Sequence, residues 1–285
     1  MDMGAGARRC VRRVGRPRRG APGARTRASG ALAREAALVL ALYAVWRLAG
    51  RLSLMQGDGA MRRGRGVWET ERLLGLPDET AVQDLVAGWD GLMVAMNEYY
   101  RWVHAPALVV TLVWLFVRHR AHDGRWRTAL ALTTAACLLV QFVPVSPPRM
   151  HPEFGFVDSA LVHGQSVSGA AGGAGAWAAM PSVHVAWAAV VGCAVWTAAR
   201  GPWRWIGPAH AVLTVVVVTA TANHRWLDGL VAVGLLAVSL RLVPCGATAR
   251  PPLTRRARTP AGDARAGRGG HPLPHPAREA ADETT

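Results

Sequence analysis

The chain has 285 residues, 51 % of them hydrophobic, with 33 basic against 18 acidic side chains and a formal net charge of +15. The charge is clumped: long uncharged stretches alternate with arginine-rich ones. That argues against a soluble basic protein with a nucleic-acid partner, and for a multi-pass membrane protein with arginines in its loops and tails.

Every basic residue is arginine, and the four cysteines are widely spaced with no CxxC pair. Neither a disulfide framework nor a thiolate metal site follows. Residues 1–35 form a basic N-terminal tail; its first thirty residues hold nine arginines and one acid. Such a segment cannot build a core and is expected to be disordered. Residues 244–285, rich in Arg, Pro and Gly, read as a second disordered tail.

Between the tails, residues 36–243 read as one membrane domain. Six apolar runs stand out, at 36–54, 103–118, 126–145, 182–199, 205–222 and 226–243. Each is about 16–20 residues, near the lower limit for crossing about 30 Å of hydrocarbon. The predicted fold is therefore all-α: a polytopic membrane helix bundle of six transmembrane helices. Interfacial helices are expected in the first outer loop, within 55–102, where Trp89, Tyr99, Tyr100 and Trp102 suit the headgroup level.

Charge sets the orientation. Both tails, "RHRAHDGRWR" (Arg118–Arg127) and "RGPWRW" (Arg200–Trp205) are basic and fall on one side. The positive-inside rule puts them in the cytoplasm. Residues 55–102, 146–181 and the short "ANHR" turn then lie outside the cell membrane.

Three polar features converge on that outer side. The third run leads into "FVPVSPPRM" with Arg149, the fourth begins at "PSVH" with Ser182 and His184, and the sixth begins at "NHRWLD" with His224 and Asp228. His224 and Asp228 are spaced i,i+4, on one helix face. The carboxylate can hold one imidazole nitrogen and leave the other as nucleophile or base. Two histidines, one of them backed by a carboxylate, suit in-line displacement at phosphorus: one attacks while the other protonates the leaving oxygen. Arg149 offers a planar fork for phosphate oxygens. Ser182 and the first N–H groups of its helix offer an anion site.

At these residues the chain resembles the type-2 phosphatidic acid phosphatase superfamily of integral membrane enzymes. The stretches "PVSPPRM", "GFVDS", "AAMPSVHVAW" and "TANHRWLDG" look most like its inositol phosphorylceramide synthase-like branch. The resemblance covers roughly residues 36–243 and includes "ERLLGLPDE". It implies that His224 forms a phosphohistidine, Asp228 orients it and His184 is the general acid, with no metal and no cofactor.

The wider superfamily has a Lys seven residues before the first-motif Arg and a Pro after it, where this chain has Phe142 and Met150. It also has Ser-Arg before the third-motif His, where this chain has Val217 and Val218. The specialised branch tends to lack the same cations. Arg225, beside His224, is expected to compensate as a phosphate ligand.

His104 reads as an interfacial cap, and His210 as a hydrogen-bond partner for a neighbouring helix. Asp158 and Gln165, near the glycine-rich outer loop, are candidates to bind an acceptor hydroxyl. The function expected is a lipid phosphatase if water is the acceptor, or a lipid phosphotransferase if a polyol or sugar hydroxyl is. The substrate would be a lipid phosphate or phosphodiester headgroup. A different reading makes His184 and His224 ligands of a haem or metal ion.

Overall fold

A computed structural model of the chain describes residues 57–165 and 177–243, with six isolated helical positions between Ala37 and Leu48. Both expected tails, most of the first expected span and the glycine-rich run at 166–176 lie outside the described residues. The described residues all belong to one unit of the chain, residues 1–249.

The architecture is helical. In chain order the helices are α1 (Gly57–Leu73), α2 (Glu79–Ala87), α3 (Asp90–Trp102), α4 (His104–Arg118), α5 (Arg120–Val140), the single turn α6 (Ser159–Val162), α7 (Val183–Ala198), α8 (Ile206–Ala220) and α9 (Trp226–Leu242). Among the described residues extended pairing is limited to one bridge, Val145 with Ala178, which ties the chain after α5 to the chain before α7.

The helix α7 is central and packs on α4, α5, α8 and α9. Its sequence explains this: it is apolar on every side, so it buries all round. Leu115, Trp126, Val190, Ala194 and Leu236 form one core cluster. Cys137, Val185, Ala186, Val218 and Ala232 form another, with Tyr100 packed against it. Small residues let α7 and α8 approach closely. A Cβ on Gly207 would stand 2.7 Å from Val195 Cβ and 2.9 Å from Gly192 O.

Five expected apolar runs coincide with α4, α5, α7, α8 and α9, and the expected interfacial helices with α1 to α3. Their lengths are a separate matter. Among the described residues, Gly201–Ala220 is the one helical run long and apolar enough to cross a membrane alone. Asp90–Trp102 and His104–Arg118 pass that test only together, across a 49° bend. The other runs fall short for visible reasons. Helix α5 begins with the charged "RAHDGRWR", and α7 and α9 have 16 and 17 residues, against about 20 for a straight span.

Candidate active site

The turn between α8 and α9 carries His224. Ala222 there has φ +51°, which reverses the chain after α8. His224 is buried, 4 % exposed, and its ring is held at both nitrogens. Nδ1 lies 2.8 Å from the Ala179 carbonyl and 3.6 Å from Asp228 Oδ2. Both partners can only accept, so Nδ1 carries the proton and Nε2 has a free lone pair. That Nε2 faces His184 Nδ1 at 3.2 Å. Asp228 has no exposed surface, and its Oδ2 also accepts from Arg225 N at 2.8 Å. The carboxylate is thus fixed by the backbone of the turn it serves.

His184 enters from the first turn of α7. Ser182 is the N-cap of that helix: its Oγ accepts from Val185 N at 3.2 Å, and its own N–H donates to Asp228 O at 3.1 Å. Ser182 is fully buried. It therefore locks α7 to α9 and sets the two imidazole rings 5.3 Å apart, tilted by 52°.

Arg149 arrives on the loop after α5. Its N–H donates to Ala222 O at 2.9 Å, its Nη1 donates to Asn223 Oδ1, and its Nε stands 3.8 Å from Asp158 Oδ2. A buried brace shapes this loop: Ser146 Oγ lies 2.5 Å from His151 Nε2, and His151 Nδ1 lies 2.9 Å from Glu153 Oε1. Burial holds His151 below its ordinary pKa, although Glu153 pulls the other way. The neutral ring can then donate to Glu153 and accept from Ser146. Helix α1 fits against this brace only because residue 64 is glycine; a Cβ there would stand 2.0 Å from Ser146 Oγ.

Three sequence elements that lie far apart in the chain therefore meet at one point: Arg149, Ser182–His184, and His224 with Asp228. A family model, described as PAP2 superfamily, matches residues 65–242, well over half of the chain and all of these positions. The chain belongs to the PAP2 superfamily. No curated protein and no solved structure matches it. Membership of the PAP2 superfamily carries a phosphatase or phosphotransferase kind of activity, on phosphate esters of the lipid type.

Within this PAP2 site the remaining expected residues are placed differently. Arg225 is 2 % exposed; its Nη1 donates to Ser146 O at 3.1 Å and its guanidinium faces the Phe156 ring at 5.8 Å. It braces the Arg149 loop from beneath. Asp158 caps α6, accepting from Leu161 N at 3.0 Å. The Gln165 amide accepts from Asn97 Nδ2 and donates to Val94 O and Glu98 Oε1, so it anchors the chain on α3.

Two aromatic neighbours join the histidines. The Tyr100 ring lies 4.3 Å from His184 and 6.4 Å from His224, centroid to centroid. The His104 ring lies 4.2 Å from His184, edge-on. Burial raises the Tyr100 hydroxyl pKa, and the Arg149 guanidinium works against that rise. The sequence signal for both was the i,i+4 pair in "YYRWVH", which an interfacial reading absorbed. Among the described residues no three His, Cys, Asp or Glu side chains are grouped to hold a metal ion. A cleft of about 720 Å³ opens elsewhere, between Arg62, Arg63, Val145, Met180 and Leu227, and neither His184 nor His224 lines it.

Proposed function

We propose that the protein is a membrane-embedded lipid phosphatase or lipid phosphotransferase that works through a phosphohistidine on His224. The observation that carries the reading is the one-way polarity of the histidine pair. Ala179 O and Asp228 hold the proton on Nδ1, and Nε2 is presented to His184. Nε2 attacks phosphorus in line, and the ester oxygen leaves as the P–O bond breaks. His184, protonated in the substrate complex, gives that oxygen its proton. Water or an acceptor hydroxyl then attacks the phosphohistidine, gives its proton back to His184, and frees His224.

Arg149 holds the non-bridging oxygens, with Asn223 orienting its guanidinium. Ser182 and the first N–H groups of α7 add an anion-holding dipole, and Arg225 adds positive charge from below. Asp158, 3.8 Å from Arg149 Nε, supports an acceptor-side role, while the Gln165 amide is engaged by α3. The resemblance to the inositol phosphorylceramide synthase-like branch favours a polyol hydroxyl as acceptor.

A lipid setting is supported by the outward faces of the bundle. Val109, Val110, Val113 and Val117 on α4 are exposed, as are Val212 on α8 and Leu230, Val233 and Val238 on α9. Apolar surface of that extent marks contact with a partner or a bilayer. Six spans with cytoplasmic termini put the site on the outer face.

Turnover of lipid phosphates and phosphodiesters by the purified full-length chain, with and without polyol and EDTA, tests this. Turnover unaffected by EDTA and abolished by His224→Ala is expected. Full activity of that variant, or strict dependence on added metal, would overturn it.

A further inference from the structure

Three side chains from the first outer segment grip the turn that carries His224. Glu79 Oε1 accepts from Trp226 N at 3.3 Å, and Glu71 Oε1 accepts from Leu227 N at 2.7 Å. Gln83 Nε2 donates to Ala220 O at 3.2 Å and to Val157 O at 2.9 Å. These contacts lie on either side of Ala222–Arg225. Glu71 and Glu79 belong to "ERLLGLPDE", a stretch with no role in the chemistry above.

The placement is costly. Neither glutamate has any exposed surface, and Glu71 Oε2 and Asp228 Oδ1 lack hydrogen-bond partners. An unshielded carboxylate is expensive to bury. Arg72 Nη2 bonds Glu79 Oε2 at 3.2 Å, and the buried Arg225 adds charge nearby. An exposed Ser or Asp would cap a helix more cheaply. What the glutamates add is reach: they fix the first two N–H groups of α9 from a separate element, leaving its start no freedom to rotate. Asp228 is the next residue.

We infer that Glu71 and Glu79 are positioning residues for the His224 reaction, clamping the first turn of α9 so that Asp228 and His224 keep the register that aims Nε2 at phosphorus. The kinetic part of this inference rests on the phosphohistidine reading; the clamp itself does not.

The clamp is sensitive to pH. Burial pushes the Glu71 carboxyl up to about 8, with Glu79 and Asp228 adding to the rise and the Leu227 N–H opposing it. The charged groups around it are Glu79, Asp228, Arg225 and, through Glu79, Arg72. Below that pH Glu71 is neutral and the clamp is intact. Above it a third buried negative charge joins those of Glu79 and Asp228 and pushes them apart.

The test uses full-length protein in detergent with Glu71→Ala, Glu79→Ala and Glu71→Gln. Two quantities are read across neutral and alkaline pH: kcat with KM, and amide exchange of the peptide containing Ala220–Asp228. Each Ala variant should lower kcat roughly 10- to 100-fold with little change in KM, since a small misaim costs that much. Each should also speed exchange at Trp226 and Leu227. Glu71→Gln keeps an acceptor for Leu227 N, so it should restore slow exchange, recover most of the lost rate and abolish the loss of exchange protection that wild type shows as pH rises past about 8.

Wild-type exchange in both Ala variants, or an alkaline loss of exchange protection that persists in Glu71→Gln, would overturn the inference. If wild-type protein turns over no lipid phosphate yet the Ala variants exchange faster, the clamp stands and the phosphohistidine reading falls. If an Ala variant does not fold, the pH profile of Glu71→Gln decides.

Discussion

His224 has one nitrogen to spend, and the residues around it decide which. Asp228→Asn can keep an oxygen on Arg225 N, so the turn stays intact, but it removes the negative charge that stabilises the cationic imidazole formed when Nε2 attacks. A fall in kcat of roughly 10²- to 10⁴-fold is expected with KM within a few-fold; an unchanged kcat would contradict the role. His184→Ala makes a sharper demand. A general acid matters for an alkoxide leaving group and little for a nitrophenolate. The loss should be large on an alkyl phosphate and small on an aryl one, and equal losses would argue against proton donation.

Glu71 gives a stability test at the same scale. Its folded pKa is raised from 4.5 to about 8, so its contribution is complete below the lower value and is lost as pH rises through the upper one. Glu71→Gln should flatten the fall in thermal midpoint across that window; a wild-type slope in the variant would contradict the shift. Residue identities at this scale were legible where spacing is local, as in His224–Asp228 and "PSVH". The Ala179 carbonyl that fixes the tautomer was not legible, because any residue supplies a carbonyl. Nor was the direction of the Arg225 side chain, which turns to Ser146 O, because neighbourhood in sequence says nothing about which way a side chain points.

The runs 103–118, 182–199, 205–222 and 226–243 match helix ends to within two residues, because charge and turn residues bound them. Helix α5, by contrast, starts at Arg120, well before the expected 126, because its first turns are charged. His210 also met expectation: its Nδ1 lies 2.7 Å from Tyr99 Oη on α3. The docking of α1 and α2 onto the α8–α9 turn was not readable, since it depends on Glu71, Glu79 and Gln83 being buried far from their own helices' neighbours. The bend between α3 and α4 was missed as well, and it is what carries Tyr100 and His104 to His184. Crossing distance is also an element property. Gly207→Ala would place a methyl 2.7 Å from Val195 Cβ, forcing α7 and α8 apart. A loss of about 1–3 kcal/mol is expected, read as a lower thermal midpoint; no change would mean the helices are not held that close.

At the scale of the whole molecule, clumped arginines and apolar outward faces point to a bilayer, with the Arg149 loop, the two histidines and Asp228 gathered at one end of the bundle. On a cysteine-free background, a cysteine at Met150 should react with an impermeant reagent on intact cells and one at Gly124 should not. The reverse pattern would invert the topology. The central claim is the covalent intermediate on His224. Purified full-length protein mixed briefly with a phosphorus-labelled lipid phosphate and denatured in alkali should retain label that acid removes, and His224→Ala should retain none. Equal labelling of that variant, or turnover by wild type with no label at any mixing time, would contradict it.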